Sequence, residues 1–336
     1  MDVRGSVIVV LTIVLAGVLL FLTLKQTPGS IPQNALRSAP LSCSPTRECP
    51  LPRRLTLKEG PPQWQSQLQQ DQTVYMLLGG KNNGYFVDLA ANEPMWISNS
   101  YALEQWFGWA GVCIEPTSKL VAKLIQQRTC HTVQTVVDSQ PGTVLFTFAN
   151  ASAISTLVAE DTDYRVRKEA FRKERTESIP SRTLESILDQ VCAPSTMDYL
   201  SLDVEGSEWR ALQNFPFHRY RFRIMTIERA NRELCVLLHL HGYRLAGFLV
   251  SKGESIWLHG DFVGNTSRQA LPAALAKLRN MRFVPKTRNG DRVADAPIPR
   301  PPPLFMPHSL ATPGLYKGLP WNEVFQVCQS FTYVYV

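Results

Sequence analysis

Four short apolar runs, each carrying an acid at or near its end, constrain this chain more than any other feature. They are residues 85–89 with Asp88, 111–115 with Glu115, 199–203 with Asp203 and 222–228 with Glu228. Apolar runs of this length, alternating with segments of helical period, predict strands of a mostly parallel, doubly wound α/β sheet. Helices are expected over 100–109 and over 118–127, where Leu120, Val121, Leu124 and Ile125 form one stripe. Leu184, Ile187, Leu188 and Val191 mark a further amphipathic helix, with Ser181 or Thr183 as its cap. Residues 131–137 read as a third strand, and 143–148 as a fourth strand or a hairpin partner.

The acids matter through their positions. Open α/β sheets bind ligands beyond the carboxyl ends of their strands. Asp88, Glu115, Asp203 and Glu228 all fall there on this reading. A carboxylate at the end of the second strand can accept hydrogen bonds from both ribose hydroxyls, and Glu115 has that place. The plainer reading of any one such acid is a solvated turn residue. The four together point to a nucleoside-type ligand. A nicotinamide-binding domain has less support, because no G-x-G-x-x-G follows the first strand.

Outside this region the chain changes character. Residues 5–24 contain no charge, and twenty apolar residues at 1.5 Å each span roughly 30 Å, a bilayer core. Residues 1–25 are therefore expected to form a retained signal anchor, with a cleaved signal peptide as the alternative. Arg4 precedes the run and Lys25 follows it, so charge does not orient it. Residues 26–70, rich in Pro, Ser, Gln and Arg, read as a stem. The folded domain is expected over 71–270, and 271–336 reads as an irregular tail with a Pro-rich run near 297–303.

Two sequons, at Asn150 and Asn265, and seven cysteines fit a lumenal domain of the Golgi or endoplasmic reticulum. Cys43 and Cys49 are candidates to pair, while Cys113 and Cys235 read as small buried hydrophobes. The net charge of +7 is spread widely, without basic runs interleaved with aromatics, so nucleic acid is not an expected partner. The mixed charges of 164–175 suggest a solvated helix, or a lid over an acidic acceptor. The six histidines have no metal-ligand spacing, so no metal is expected. A divalent ion on Asp203 and Glu205 is left open.

Several stretches together resemble the FkbM methyltransferase family. The 86–92 stretch (FVDLAAN) is similar to its first strand and turn, and 98–104 (SNSYALE) to the stretch that follows. The 108–116 stretch (GWAGVCIEP) resembles its second strand, and 201–208 (SLDVEGSE) its most recognisable signature, preceded by a Thr-Leu helix at 183–188. The resemblance covers roughly residues 72–260. It implies a class I methyltransferase fold and S-adenosylmethionine as cofactor.

On that resemblance, Asp88 and Asn92 would line the turn beneath the methionine portion. Ala90 sits in the same cofactor-binding turn. Glu115 would hold the ribose and Asp138 would lie near the adenine. Asp203 and Glu205 would face the methyl group and acceptor, either one taking a hydroxyl proton. Ala90 and Pro94 stand where the family has glycines, which allow close backbone approach and positive φ. The implied activity is O-methylation of a glycan or small molecule. The second reading is an inactive, membrane-anchored trafficking or interaction protein on the same fold.

Overall fold

The structure is a computed structural model that describes residue 49 and residues 56–149, 155–159, 161–162, 169, 171–249 and 254–265. The expected anchor and the whole of the expected tail lie outside the described residues. The chain divides between Glu48 and Cys49, and every described residue belongs to the second unit. Among the described residues, no helix is long and apolar enough to cross a membrane.

The central sheet has seven strands. They are β1 (Tyr85–Leu89), β2 (Ala110–Ile114), β3 (His131–Val133), β8 (Thr196–Leu202), β9 (Arg221–Glu228), β10 (Tyr243–Phe248) and β11 (Glu254–His259). Their order is β3-β2-β1-β8-β9-β11-β10. Strands β3, β2, β1, β8 and β9 run parallel, and β11 is antiparallel to both its neighbours. From β1 the chain first builds outward to β2 and β3, then returns to the other side of β1 with β8. The order therefore reverses between β1 and β8, where an open sheet forms a ligand crevice. This parallel-rich sheet is compatible with a methyltransferase fold.

The strands are apolar because both faces are covered. In β8 six of seven residues are buried. Val87, Val112, Leu200, Leu202 and Met225 pack on one face with α4 (Leu184–Gln190) and α6 (Arg232–Leu240). Phe86, Cys113, Tyr199 and Ile224 pack on the other with α1 (Gln70–Leu77), α2 (Tyr101–Phe107) and α3 (Ser118–Gln127). Helix α3 has the expected bounds. Helix α2 ends early because Gly108 closes it at φ +68°. Thr183, one of the two expected caps, accepts from the Ser186 N–H at 3.2 Å. Packing reaches upstream of Asp71: Trp64 stacks on Phe107, and the Lys58 N–H donates to the Gln105 carbonyl.

The expected third strand is two strands. After β3 the chain leaves the sheet, and β4 (Val136–Val137) joins a second sheet of order β4-β7-β5-β6. Strand β5 (Gly142–Phe148) pairs antiparallel with β6 (Thr156–Leu157) and β7 (Arg175–Arg182). The hairpin reading of 143–148 thus describes it better than a fourth parallel strand. Residues 163–168, the heart of the mixed-charge segment, lie outside the described residues. Its last residue, Arg175, opens β7 and is not helical.

The cysteines differ from expectation. Cys49 bonds to Cys192, not to Cys43, and so ties the upstream segment to the end of α4. Cys113 is no plain hydrophobe: it bonds to Cys130 and clamps β2 to the chain entering β3. Cys235, fully buried on α6, is disulfide-bonded as well.

Candidate active site

The reversal point brings together the turn after β1 and the turn after β8. Ala90 and Asn92 both adopt left-handed conformations, with φ +56° and +53°. The turn therefore keeps the backbone that glycine would favour. For Ala90 this costs roughly 1–2 kcal/mol, whereas Asn tolerates it more readily. The Ala91 N–H donates to the Ile114 carbonyl at 3.1 Å, and the Asn92 N–H to Glu115 Oε2 at 3.1 Å. Glu115 Oε1 accepts from the Thr117 N–H at 2.8 Å. Glu115 thus staples the turns after β1 and β2 together. Burial raises its pKa, and these hydrogen bonds oppose that shift.

Asp88 lies beneath this turn, 3% exposed. Its Oδ2 accepts from Ser100 Oγ at 2.5 Å. Burial raises its pKa, opposed by Ser100, Arg128 and Ser201. Pro94 is buried in the loop that follows, and its carbonyl accepts from Arg128 Nη1 at 3.1 Å.

Asp138 follows β4 and is placed differently. Its oxygens accept from Arg210 Nε and Nη2, both at 2.9 Å, and from the Ser139 N–H at 2.7 Å. It lines a hollow of about 210 Å³ beside the start of α4, apart from the reversal-point cavity.

Beyond β8 and β9 lies a cluster of acids. Asp203, Glu208 and Glu228 bring carboxylate oxygens within 4.8 Å of one another. These three could hold a cation. Arg229 bonds Glu205 at 2.7 Å and Glu228 at 2.5 Å. Glu205 stands at φ +54°, next to Gly206 at φ +92°. Asp203 Oδ1 is sealed from solvent and accepts no hydrogen bond. Burial first, then the charge of Glu228, holds the Asp203 carboxyl well above the usual range. Glu208 Oε1 accepts from the N–H groups of Val204 and Gly206, at 3.2 and 3.1 Å. It ties the turn to α5 (Glu208–Leu212). Burial pushes Glu208 up to about 8, and Glu254 likewise.

Between the two turns is a cavity of about 40 Å³, lined by Ala90, Pro116, Phe146, Leu157, Val204 and Ser207 among others. The second sheet covers it, and Thr156 Oγ1 donates to the Glu205 carbonyl at 2.9 Å. Ser207 is 3% exposed and its hydroxyl has no hydrogen-bond partner. Such a buried hydroxyl is a ready contact for a polar ligand.

Fold and site together define a doubly wound domain whose crevice is edged by acids at the carboxyl ends of β1, β2 and β8. Residues 80–245 match the family model of the methyltransferase FkbM domain, and this domain belongs to that family. That membership supports methyltransferase activity. No curated protein and no solved structure gives a significant match to the chain.

The structure brings Asp88, Ala90, Asn92 and Glu115 into one turn system, and Asp203 and Glu205 onto the facing turn. Asp138 is engaged elsewhere. Sequence reasoning missed Ser100, Arg128, Thr156 and Ser207. Ser100 and Ser207 lay inside quoted motifs but carried no charge to mark them. Arg128 belongs to no motif, and only its burial reveals it.

Proposed function

We propose that the chain is an S-adenosylmethionine-dependent O-methyltransferase acting on a hydroxyl of a glycan or small molecule. The observation that carries this reading is the reversal-point crevice within an FkbM domain. The cofactor, when bound, supplies a methyl group on an already activated sulfonium. Glu115, whose oxygens already hold the Asn92 and Thr117 N–H groups, would take the ribose on their remaining lone pairs, and Asp88, Ala90 and Asn92 would shape the turn under the methionine portion. Ser207 would offer its unpaired hydroxyl. Asp138, with its oxygens spent on Arg210, would act on the adenine side only through the loop it fixes.

Asp203 is the better proton acceptor of the two candidate acids. Its Oδ1 is unengaged, whereas Glu205 is paired with Arg229. Asp203→Asn is expected to lower kcat by about 100-fold or more while cofactor affinity changes little. Release of S-adenosylhomocysteine from a panel of glycan and small hydroxyl acceptors would measure it. Unchanged turnover in Asp203→Asn would remove Asp203 from this role.

One observation favours the second reading, an inactive interaction module. Ligand pockets hold roughly 300–1,000 Å³, and the cavity holds about 40 Å³. The active reading therefore requires β6 and Phe146 to move aside. Three described cysteine pairings or bonded thiols favour an oxidising compartment, which fits a lumenal, membrane-anchored protein of the Golgi or endoplasmic reticulum.

A further inference from the structure

Arg128 is 2% exposed, and its side chain is wholly buried. It lies just past α3, outside every motif of the family resemblance. Its guanidinium is used on all sides. Nε donates to Glu104 Oε2 at 3.1 Å, and Nη1 to the Pro94 carbonyl at 3.1 Å and Ser98 Oγ at 3.2 Å. Nη2 donates to Ser100 Oγ at 2.9 Å. The rings of Phe86 and Tyr101 lie 5.8 and 5.7 Å from the guanidinium carbon. Ser100 in turn donates its proton to Asp88 Oδ2. The chain of donation thus runs from Arg128 through Ser100 to Asp88.

A buried Arg–Glu pair is weak evidence of a gain in stability, because desolvation offsets the attraction. The loop it holds gives a more specific reason. Ala90, Asn92 and Ile97 all stand at positive φ, at +56°, +53° and +55°. Non-glycine residues persist in such conformations only where their surroundings hold them. Pro94, where the family has glycine, has no N–H to anchor the turn, so the loop is secured through its carbonyl. Arg128 takes that carbonyl and the Ser98 hydroxyl together.

We propose that Arg128 is a positioning residue for the cofactor turn: it clamps residues 94–98 directly and orients Asp88 through Ser100. The proposal rests on the methyltransferase reading. Asp88 is also faced by Glu104 on α2, by Ser201 and Tyr199 on β8 and by Glu115 beyond β2. Arg128 also acts on the carboxylate directly through its charge, and Ser100 carries the hydrogen-bonded route between them.

The test is calorimetric titration of the full chain, purified in detergent, with S-adenosylhomocysteine from pH 5 to pH 8, alongside thermal melting. Ser100→Ala removes the relay and leaves Arg128 in place. It is expected to weaken binding about tenfold. Without the hydroxyl, the Asp88 carboxylate loses a stabilising bond, so binding should fail at a higher pH than in the native chain. Ser100→Thr restores both affinity and pH midpoint. Arg128→Lys, which keeps the charge but not the fork, should also weaken binding, and serves if Ser100→Ala melts below the assay temperature. Native-level binding by Ser100→Ala with an unmoved pH midpoint would overturn the proposal. So would weakened binding with an unmoved midpoint and no rescue by Ser100→Thr, the mark of a merely structural role. Absence of binding by the native chain would instead overturn the methyltransferase reading beneath it.

Discussion

Ala90 shows how a departure from a family pattern becomes a measurable cost. Its φ of +56° is where glycine is at ease and alanine is not. Ala90→Gly should raise stability by about 0.5–1 kcal/mol, the left-handed strain relieved less the extra entropy of glycine. A higher midpoint in urea denaturation is the expected result, and a lower one would show that the turn is not strained. The acids give a second residue-scale prediction. Glu208 and Glu254 are held up to about 8 from an ordinary 4.5. Between those values the folded chain keeps protons that the unfolded chain has lost, so stability falls as pH rises from about 5 to about 8. The slope is at most about 1.4 kcal/mol per pH unit for each group. Glu254→Gln should flatten it, as followed by melting temperature against pH; an unchanged slope would place the titration elsewhere.

At the scale of elements, the parallel strands of the central sheet were legible, β10 and β11 were not, and of the second sheet only β5 stood out as a strand of its own. Strands β1, β2, β8 and β9 are buried on both faces, so their apolar runs stand out in the sequence. Strand β7, RTESIPSR, is mostly exposed and has no apolar period to read, although it pairs with β5 from Arg175 to Ser181. The same contrast runs through the site. Asp88, Glu115 and Asp203 announced themselves as acids closing apolar strands. Ser207 and Arg128 depend on what folds over them. The small cavity could not be foreseen either, since it needs Leu157 of the unread β6 beside Phe146 of β5. The clamp between β2 and the start of β3 gives a prediction at this scale. Cys113→Ala with Cys130→Ala opens a closure 17 residues apart. It should cost about 3 kcal/mol in chemical denaturation, and no loss would show that the pair is not bonded in the folded protein.

For the whole molecule, the bonded cysteines carry the argument about place. The Cys49–Cys192 bond spans 143 residues and binds the segment before the domain to its middle. Such cross-links persist in oxidising compartments. A lumenal methyltransferase also requires its methyl donor to be delivered across a membrane. The central claim, though, is that the β1–β8 crevice takes a nucleoside cofactor, and one measurement meets it most directly. The full chain, purified in detergent, is titrated calorimetrically with S-adenosylmethionine and S-adenosylhomocysteine. Micromolar binding, weakened about tenfold or more in Glu115→Gln, is the predicted result. No heat of binding from a chain that melts cooperatively would contradict the account, and would leave an FkbM domain that serves as an interaction module.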